Sequence, residues 1–121
     1  MKLVLFLYFS IIFCSYSKVL MLEQYNGPSK ELTAVLFNNS LIDEDCAKRL
    51  GNCLAYKSLS SKLKKTNVNH HGLIGNPASK ACMSVNGKPV ILKDINKNQS
   101  QFCFFSDNSF IDAWDLRKGL K

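Results

Sequence analysis

GNPASKACMSVNGKP, residues 75–89, holds the start and stop signals of one short helix. Asn76 can accept a hydrogen bond from the first free N–H groups, and Pro77 suits the first helical position, where its missing N–H is not needed. Ala78, Ala81, Cys82 and Val85 then recur at helical spacing as a narrow apolar stripe. Asn86-Gly87 supplies a left-handed stop, and Pro89 forces the chain into an extended exit. A helix this short does not persist alone in water, so it must dock on something.

Its dock follows at once. Residues 90–92 (VIL) read as a strand, residues 94–100 (DINKNQS) as a polar turn, and residues 102–105 (FCFF) as a second strand, together an antiparallel hairpin. Strand alternation puts Cys103 and Phe105 on one side and Phe102 and Phe104 on the other. A helix that packs Cys82 onto the Cys103 side allows a disulfide worth about 3 kcal/mol. Residues 106–109 form the next turn, and Phe110, Ile111, Trp114 and Leu116 a last apolar segment, with Trp114 expected in the core.

The preceding half reads more simply. Residues 18–30 contain Asn26-Gly27-Pro28-Ser29 and are expected to be an irregular leader. Residues 32–37 (LTAVLF) make a strand, broken by Asn38-Asn39-Ser40. Asp43, Glu44 and Asp45 then open a helical stretch that ends in lysines, matching the helix dipole at both ends. Across one continuous helix Cys46 and Cys53 would stand about 10 Å apart along the axis. Disulfide Cα atoms lie only about 4.4–6.8 Å apart, so a Cys46–Cys53 bond requires a break at Gly51-Asn52. Three pairings of the four cysteines are open, and Cys82 with Cys103, Cys46 with Cys53, is the one favoured. The expected fold is α+β: a short helix packed on a small antiparallel hairpin sheet, disulfide-stapled, with an N-terminal strand and helix. Residues 18–71 form an N-terminal extension and residues 72–121 the domain proper.

The first seventeen residues read as an export signal. Lys2 precedes an apolar run over residues 3–13, and Ser15-Tyr16-Ser17 offers small residues at the positions a signal peptidase reads. The run falls short of the roughly 20 residues that span a bilayer. An uncleaved membrane anchor is the first alternative, and lipid attachment at Cys14 the lesser one, because Phe13 stands where such sites need a small residue. The 121-residue chain has 16 basic and 9 acidic residues, a net charge of +7, and loses one positive charge when Lys2 leaves. Beyond Ser17 there are four cysteines, an even number that reads as two disulfides in a small exported chain. Secreted or periplasmic residence follows. Nucleic acid is not an expected partner there; an envelope or host protein, or an anionic lipid surface, is.

NPASKACMSVNGKP, Cys103 within FCFFSDNS, and DAWDLRKG together resemble a small exported bacterial domain of unknown function that carries a hemolysin label. The resemblance covers about residues 72–120. Asn86 replaces the first glycine of that pattern's pair, Asn108 stands where a turn glycine is usual, and Asp112 replaces a glutamate two before Trp114. The resemblance implies an exported bacterial protein and a Cys82–Cys103 bond, and says little about activity.

Chemistry is sparse. His70-His71 are neighbours that point to opposite sides of an extended chain, with no third ligand at metal spacing, so neither metal nor cofactor is expected. With all four cysteines oxidised no thiol nucleophile remains, and catalysis is not expected. Lys57, Lys62, Lys64 and Lys65, with no acid between them, form the one candidate contact, a basic segment suited to an anionic surface. The expected function is non-enzymatic binding of the hemolysin-labelled type. A secreted proteinase inhibitor presenting residues 94–100, a cationic membrane-active protein and a hydrolase using His70 or His71 are the rivals.

Overall fold

The computed structural model describes residues 17–23, 27–60 and 76–120. Among the described residues six strands come in two runs of three, with short helices after each run: β1 (Ser17–Leu22), β2 (Lys30–Phe37), β3 (Ser40–Asp43), α1 (Glu44–Lys48), α2 (Leu54–Lys57), α3 (Pro77–Ser84), β4 (Lys88–Asp94), β5 (Gln99–Phe104), β6 (Phe110–Asp112) and α4 (Ala113–Gly119). A single 3₁₀ turn, Ser58–Ser60, follows α2. The strands close into an antiparallel barrel in the order β1-β2-β3-β6-β5-β4.

This overturns the expected helix on a hairpin sheet. The hairpin exists as β4 and β5, paired from Lys88↔Phe104 to Lys93↔Gln99. It is one third of a closed wall, not a free-standing platform. Residues 18–22, expected to be irregular, form β1, which pairs with β2 from Ser17↔Val35 to Leu22↔Lys30. Gly27 and Pro28 lie just ahead of β2. β3 and β6 also escaped notice, because four and three residues are too few to show a period. They join through Ile42↔Ile111, the pair that closes one side of the wall. The other side closes where Leu20 and Met21 meet Asp94 and Lys93.

Strand alternation then divides the apolar residues into two cores. Inside the barrel, Leu20, Ala34, Leu92, Phe102 and Phe110 are buried, with Leu22, Leu32, Leu41, Val90 and Phe104 partly so. Three of them form an aromatic group: the Phe102 and Phe110 ring centroids are 5.8 Å apart edge-to-face, and Phe104 stacks on Phe110 at 5.1 Å. The lumen of a six-stranded barrel is narrow, and these side chains occupy it. Outside, Ile42, Cys103, Phe105 and Ile111 face Cys46, Cys53, Ala55, Ala81, Cys82, Leu116 and Leu120 from the helices. Both cores draw on residues from either side of position 72.

Two disulfides pin the helices. Cys46 bonds Cys53, and Cys82 on α3 bonds Cys103 on β5, each with a Cα separation of 5.5 Å. Gly51 has φ +82° and breaks the expected long helix, so α1 and α2 are separate and the first bond becomes reachable. Two disulfides in so small a chain mark a protein that folds outside a reducing cytosol.

Gly87 makes the second bond possible. A Cβ there would lie 2.9 Å from Cys82 Sγ, 3.1 Å from its carbonyl oxygen, and closer still to Cys103 Sγ. Gly87→Ala is therefore expected to lower stability by about 2 kcal/mol through overpacking. Urea unfolding of the oxidised protein would show this as a lower midpoint at unchanged slope.

Candidate functional site

The NPAS, FCFFSDNS and DAWDLRKG residues lie on α3, β5 and its turn, and α4, which pack together, and most of them have structural work. Asn76 Oδ1 accepts from Ala78 N–H at 2.7 Å and Ser79 N–H at 3.4 Å, capping α3. At the far end, Asn86 N–H donates to Met83 O and Gly87 N–H to Cys82 O, with Asn86 at φ +65°. That is a Schellman stop, in which the left-handed residue favours Gly or Asn. Asp107 and Ser109 act across the chain: Leu54 N–H donates to Asp107 Oδ2 at 2.9 Å and Ala55 N–H to Ser109 Oγ at 3.0 Å. The turn between β5 and β6 thereby caps α2, some fifty residues away in sequence. Asp112 Oδ1 accepts from Trp114 N–H at 2.8 Å and Asp115 N–H at 3.1 Å, capping α4. Asp115 Oδ2 in turn accepts from Leu41 N–H at 2.9 Å, tying α4 to β3.

Trp114 departs from expectation. It is 42% exposed instead of lying in the core. Position two of α4 faces outward once Ala113 and Leu116 are turned in.

The α1–α2 elbow repeats the α3 stop with one change. Leu50 N–H donates to Ala47 O at 3.0 Å and Gly51 N–H to Cys46 O at 2.9 Å, the same pair of bonds. Here the left-handed place, φ +54°, is taken by Leu50. A leucine there costs about 1 kcal/mol relative to a residue that tolerates the conformation. Its side chain is 83% exposed, so no burial offsets that cost.

One helix turn further on, a cleft of about 340 Å³ opens between α2, the α3 stop and the turn after β5. Leu54, Val85 and Phe105 give it apolar walls, while Lys57, Asn86 and Ser106 give it polar ones. A second cleft of about 340 Å³ lies against β2, the start of α1 and Phe110. Asp43, which borders it, has its carboxyl raised above the usual aspartate range by burial, against the pull of the Asp45 N–H bond. Its Oδ1 is already engaged in capping α1.

Among the predicted site residues the structure brings Cys82 to Cys103 and Cys46 to Cys53, and places Lys57 at the cleft. Lys62, Lys64, Lys65, His70, His71, Cys14 and the export signal through Tyr16 lie outside the described residues. In the sequence Asp107 and Ser109 read only as a turn, because capping a distant helix leaves no local trace. Leu50 reads as sharing one helix face with Cys46, Cys53 and Leu54, and the break at Leu50-Gly51 turns it out into solvent instead. Among the described residues no group of three or more His, Cys, Asp or Glu could hold a metal ion, and no helix is long and apolar enough to cross a membrane.

Residues 73–119 match the family model described as a domain of unknown function, DUF333. Neither curated proteins nor solved structures give a match to the chain. The matched segment spans α3, β4, β5, β6 and α4, and therefore includes the Cys82–Cys103 bond and the Asp107–Ser109 cap.

Two carboxylates bear opposite relations to pH. Burial works to raise the Asp107 carboxyl, but hydrogen bonds from Leu54 N–H, the Ser109 hydroxyl and Ser109 N–H together hold it below its ordinary value. Its contribution is present above the ordinary aspartate range and lost as pH falls through the depressed value. Asp107→Ala is expected to cost about 1–2 kcal/mol at pH 7 and to flatten the acid limb of a stability–pH profile. Asp112 is raised by burial, which outweighs the N–H bonds from Asp115 and Trp114. Its stabilisation is full below the ordinary aspartate range and lost as pH rises through the raised value. Asp112→Asn keeps the cap without the charge and should match or exceed wild-type stability at pH 7, whereas Asp112→Ala should lose about 1 kcal/mol. Thermal unfolding of the two variants side by side checks both signs.

Proposed function

We propose that this chain is a small exported bacterial binding protein of the hemolysin-labelled type, non-enzymatic, that recognises an amphipathic ligand with an anionic group. The observation that carries the reading is the cleft at α2, where Lys57 borders apolar walls of Leu54, Val85 and Phe105. Its volume falls at the small end of ligand pockets, about 300 Å³ and above. A carboxylate or sulfonate at Lys57 with a short apolar body beside Phe105 satisfies both kinds of wall. The walls come from α2, the α3 stop and the turn after β5, which the Asp107 bond to Leu54 and the Cys82–Cys103 disulfide tie together, so the cleft is built in advance of binding.

Export is part of the same proposal and is compatible with the barrel. A cut after Ser17 removes one β1 pair, Ser17↔Val35, and leaves Lys18 through Leu22 in the barrel wall. An inhibitor reading gains less support. The turn over residues 94–99 is closed on itself, with Asn96 N–H and Asn98 N–H both donating to Asp94 Oδ1 at 2.9 Å. Lys97 there has φ +64°, so the turn offers no extended strand to a protease cleft.

The test uses anilinonaphthalene sulfonate, an anionic apolar dye, with the oxidised exported protein. Saturable dye binding that weakens about tenfold in Lys57→Glu, with near-ultraviolet dichroism unchanged, is the expected result. Equal binding by the two proteins would remove the cleft as the site.

A further inference from the structure

We propose that the α1–α2 elbow is a membrane-docking tip, with Leu50 as the apolar anchor that enters the headgroup region of an anionic bilayer. The elbow holds a conflict within the fold. α1 and α3 end in the same pair of hydrogen bonds, followed in each case by glycine, Gly51 and Gly87. At α3 the left-handed place holds Asn86, which suits it. At α1 it holds Leu50, at φ +54° and 83% exposed. Folding gains nothing visible from this leucine, since it is both in a disfavoured conformation and in water. An unfavourable backbone state kept at an exposed tip is the pattern of a residue retained for contact with something else.

The mount is rigid. Cys46–Cys53 closes the elbow at its base. Gly51 lies under the Tyr56 ring, so closely that a Cβ would come within 2.5 Å of it. Tyr56 is itself held by Phe37, edge-to-face at 5.2 Å, and by the Asn38 amide, which donates to its hydroxyl at 2.9 Å. A tip fixed in this way gives up little conformational entropy on insertion.

Charge selects the occupant. Lys48 and Arg49 precede Leu50, and exposed Leu54 follows with Lys57 one turn on. Apolar side chains flanked by cations suit an interface whose lipid headgroups are anionic. Glu44 and Asp45 begin α1 at its other end; Glu44 engages Lys48 at 2.8 Å, and Arg49 Nε donates to the Asp45 carbonyl. The chain as a whole is +7. The tip shares Leu54 and Lys57 with the rim of the α2 cleft, but Leu50 takes no part in lining it, so a change at Leu50 tests the tip apart from the cleft.

Ile95 supplies an internal control, being 79% exposed in the β4–β5 turn and preceded by Asp94. Cosedimentation of the full oxidised exported chain with vesicles of phosphatidylcholine and phosphatidylglycerol, and with phosphatidylcholine alone, reads the partition coefficient. Wild type and Ile95→Asn are expected to bind the anionic vesicles equally. Leu50→Asn is expected to bind about tenfold more weakly while melting no lower than wild type, since asparagine relieves the left-handed strain. Several outcomes overturn the proposal: no vesicle binding by wild type, equal loss in Ile95→Asn and Leu50→Asn, no loss in Leu50→Asn, or a lower melting temperature for Leu50→Asn. Self-association in sedimentation that Leu50→Asn abolishes, without vesicle binding, would assign the tip to a second copy instead.

Discussion

Cys82 and Cys103 meet where α3 lies across β5, and the space for their two sulfurs exists because residue 87 has no side chain. Much of the outer core is arranged around that meeting. The bond holds α3 over Ile111 and Leu116, and so over the short β6 strand and α4. In a chain-entropy view it removes freedom from a loop of 21 residues, worth about 3 kcal/mol, while the seven-residue Cys46–Cys53 loop yields about 2 kcal/mol. Small domains have total stabilities of roughly 5–15 kcal/mol, so neither staple is incidental.

The acidic residues of the second half form a coherent system once their partners are seen. Asp107 closes α2, Asp112 closes α4, and Asp115 reaches back to β3. Each satisfies backbone N–H groups that a short helix or strand cannot satisfy internally. Helices of four to seven residues have no propagation energy to spare, so such caps hold them in place. This leaves the exposed positive side chains, Lys57 and Arg49 among them, as the charge available for contacts beyond the chain.

How much of this was legible follows from where each signal resides. The α3 helix was readable to within one or two residues, since Asn76, Pro77, Asn86 and Gly87 act on their own neighbours. The strands around Ile91 and Phe102 were visible through their apolar runs. The closed barrel was not, because closure depends on β3 and β6, whose single pairing through Ile42 and Ile111 joins residues 69 positions apart. β1 was concealed differently: Lys18 and the turn signal that follows make residues 18–30 look like a leader, and only the pairing with β2 makes residues 18–22 part of the wall. Of the candidate cleft, Lys57 was visible as one of a lysine series. Its apolar companions Val85 and Phe105 were assigned to a helix stripe and a strand, with nothing in the sequence to say that they converge.

The wall is best seen as two three-stranded ribbons, one over β1–β3 and the other over β4–β6, stitched by a single residue pair on one side and two on the other. The segment that matches the family contains just the second ribbon and its helices. Cut out of this chain, that ribbon would keep its disulfide but present both outer strands with unanswered backbone groups, a template for any strand that passes. Residues 17–43 thus serve as an intramolecular escort, supplying from within the same chain the complement that a lone ribbon would otherwise have to recruit.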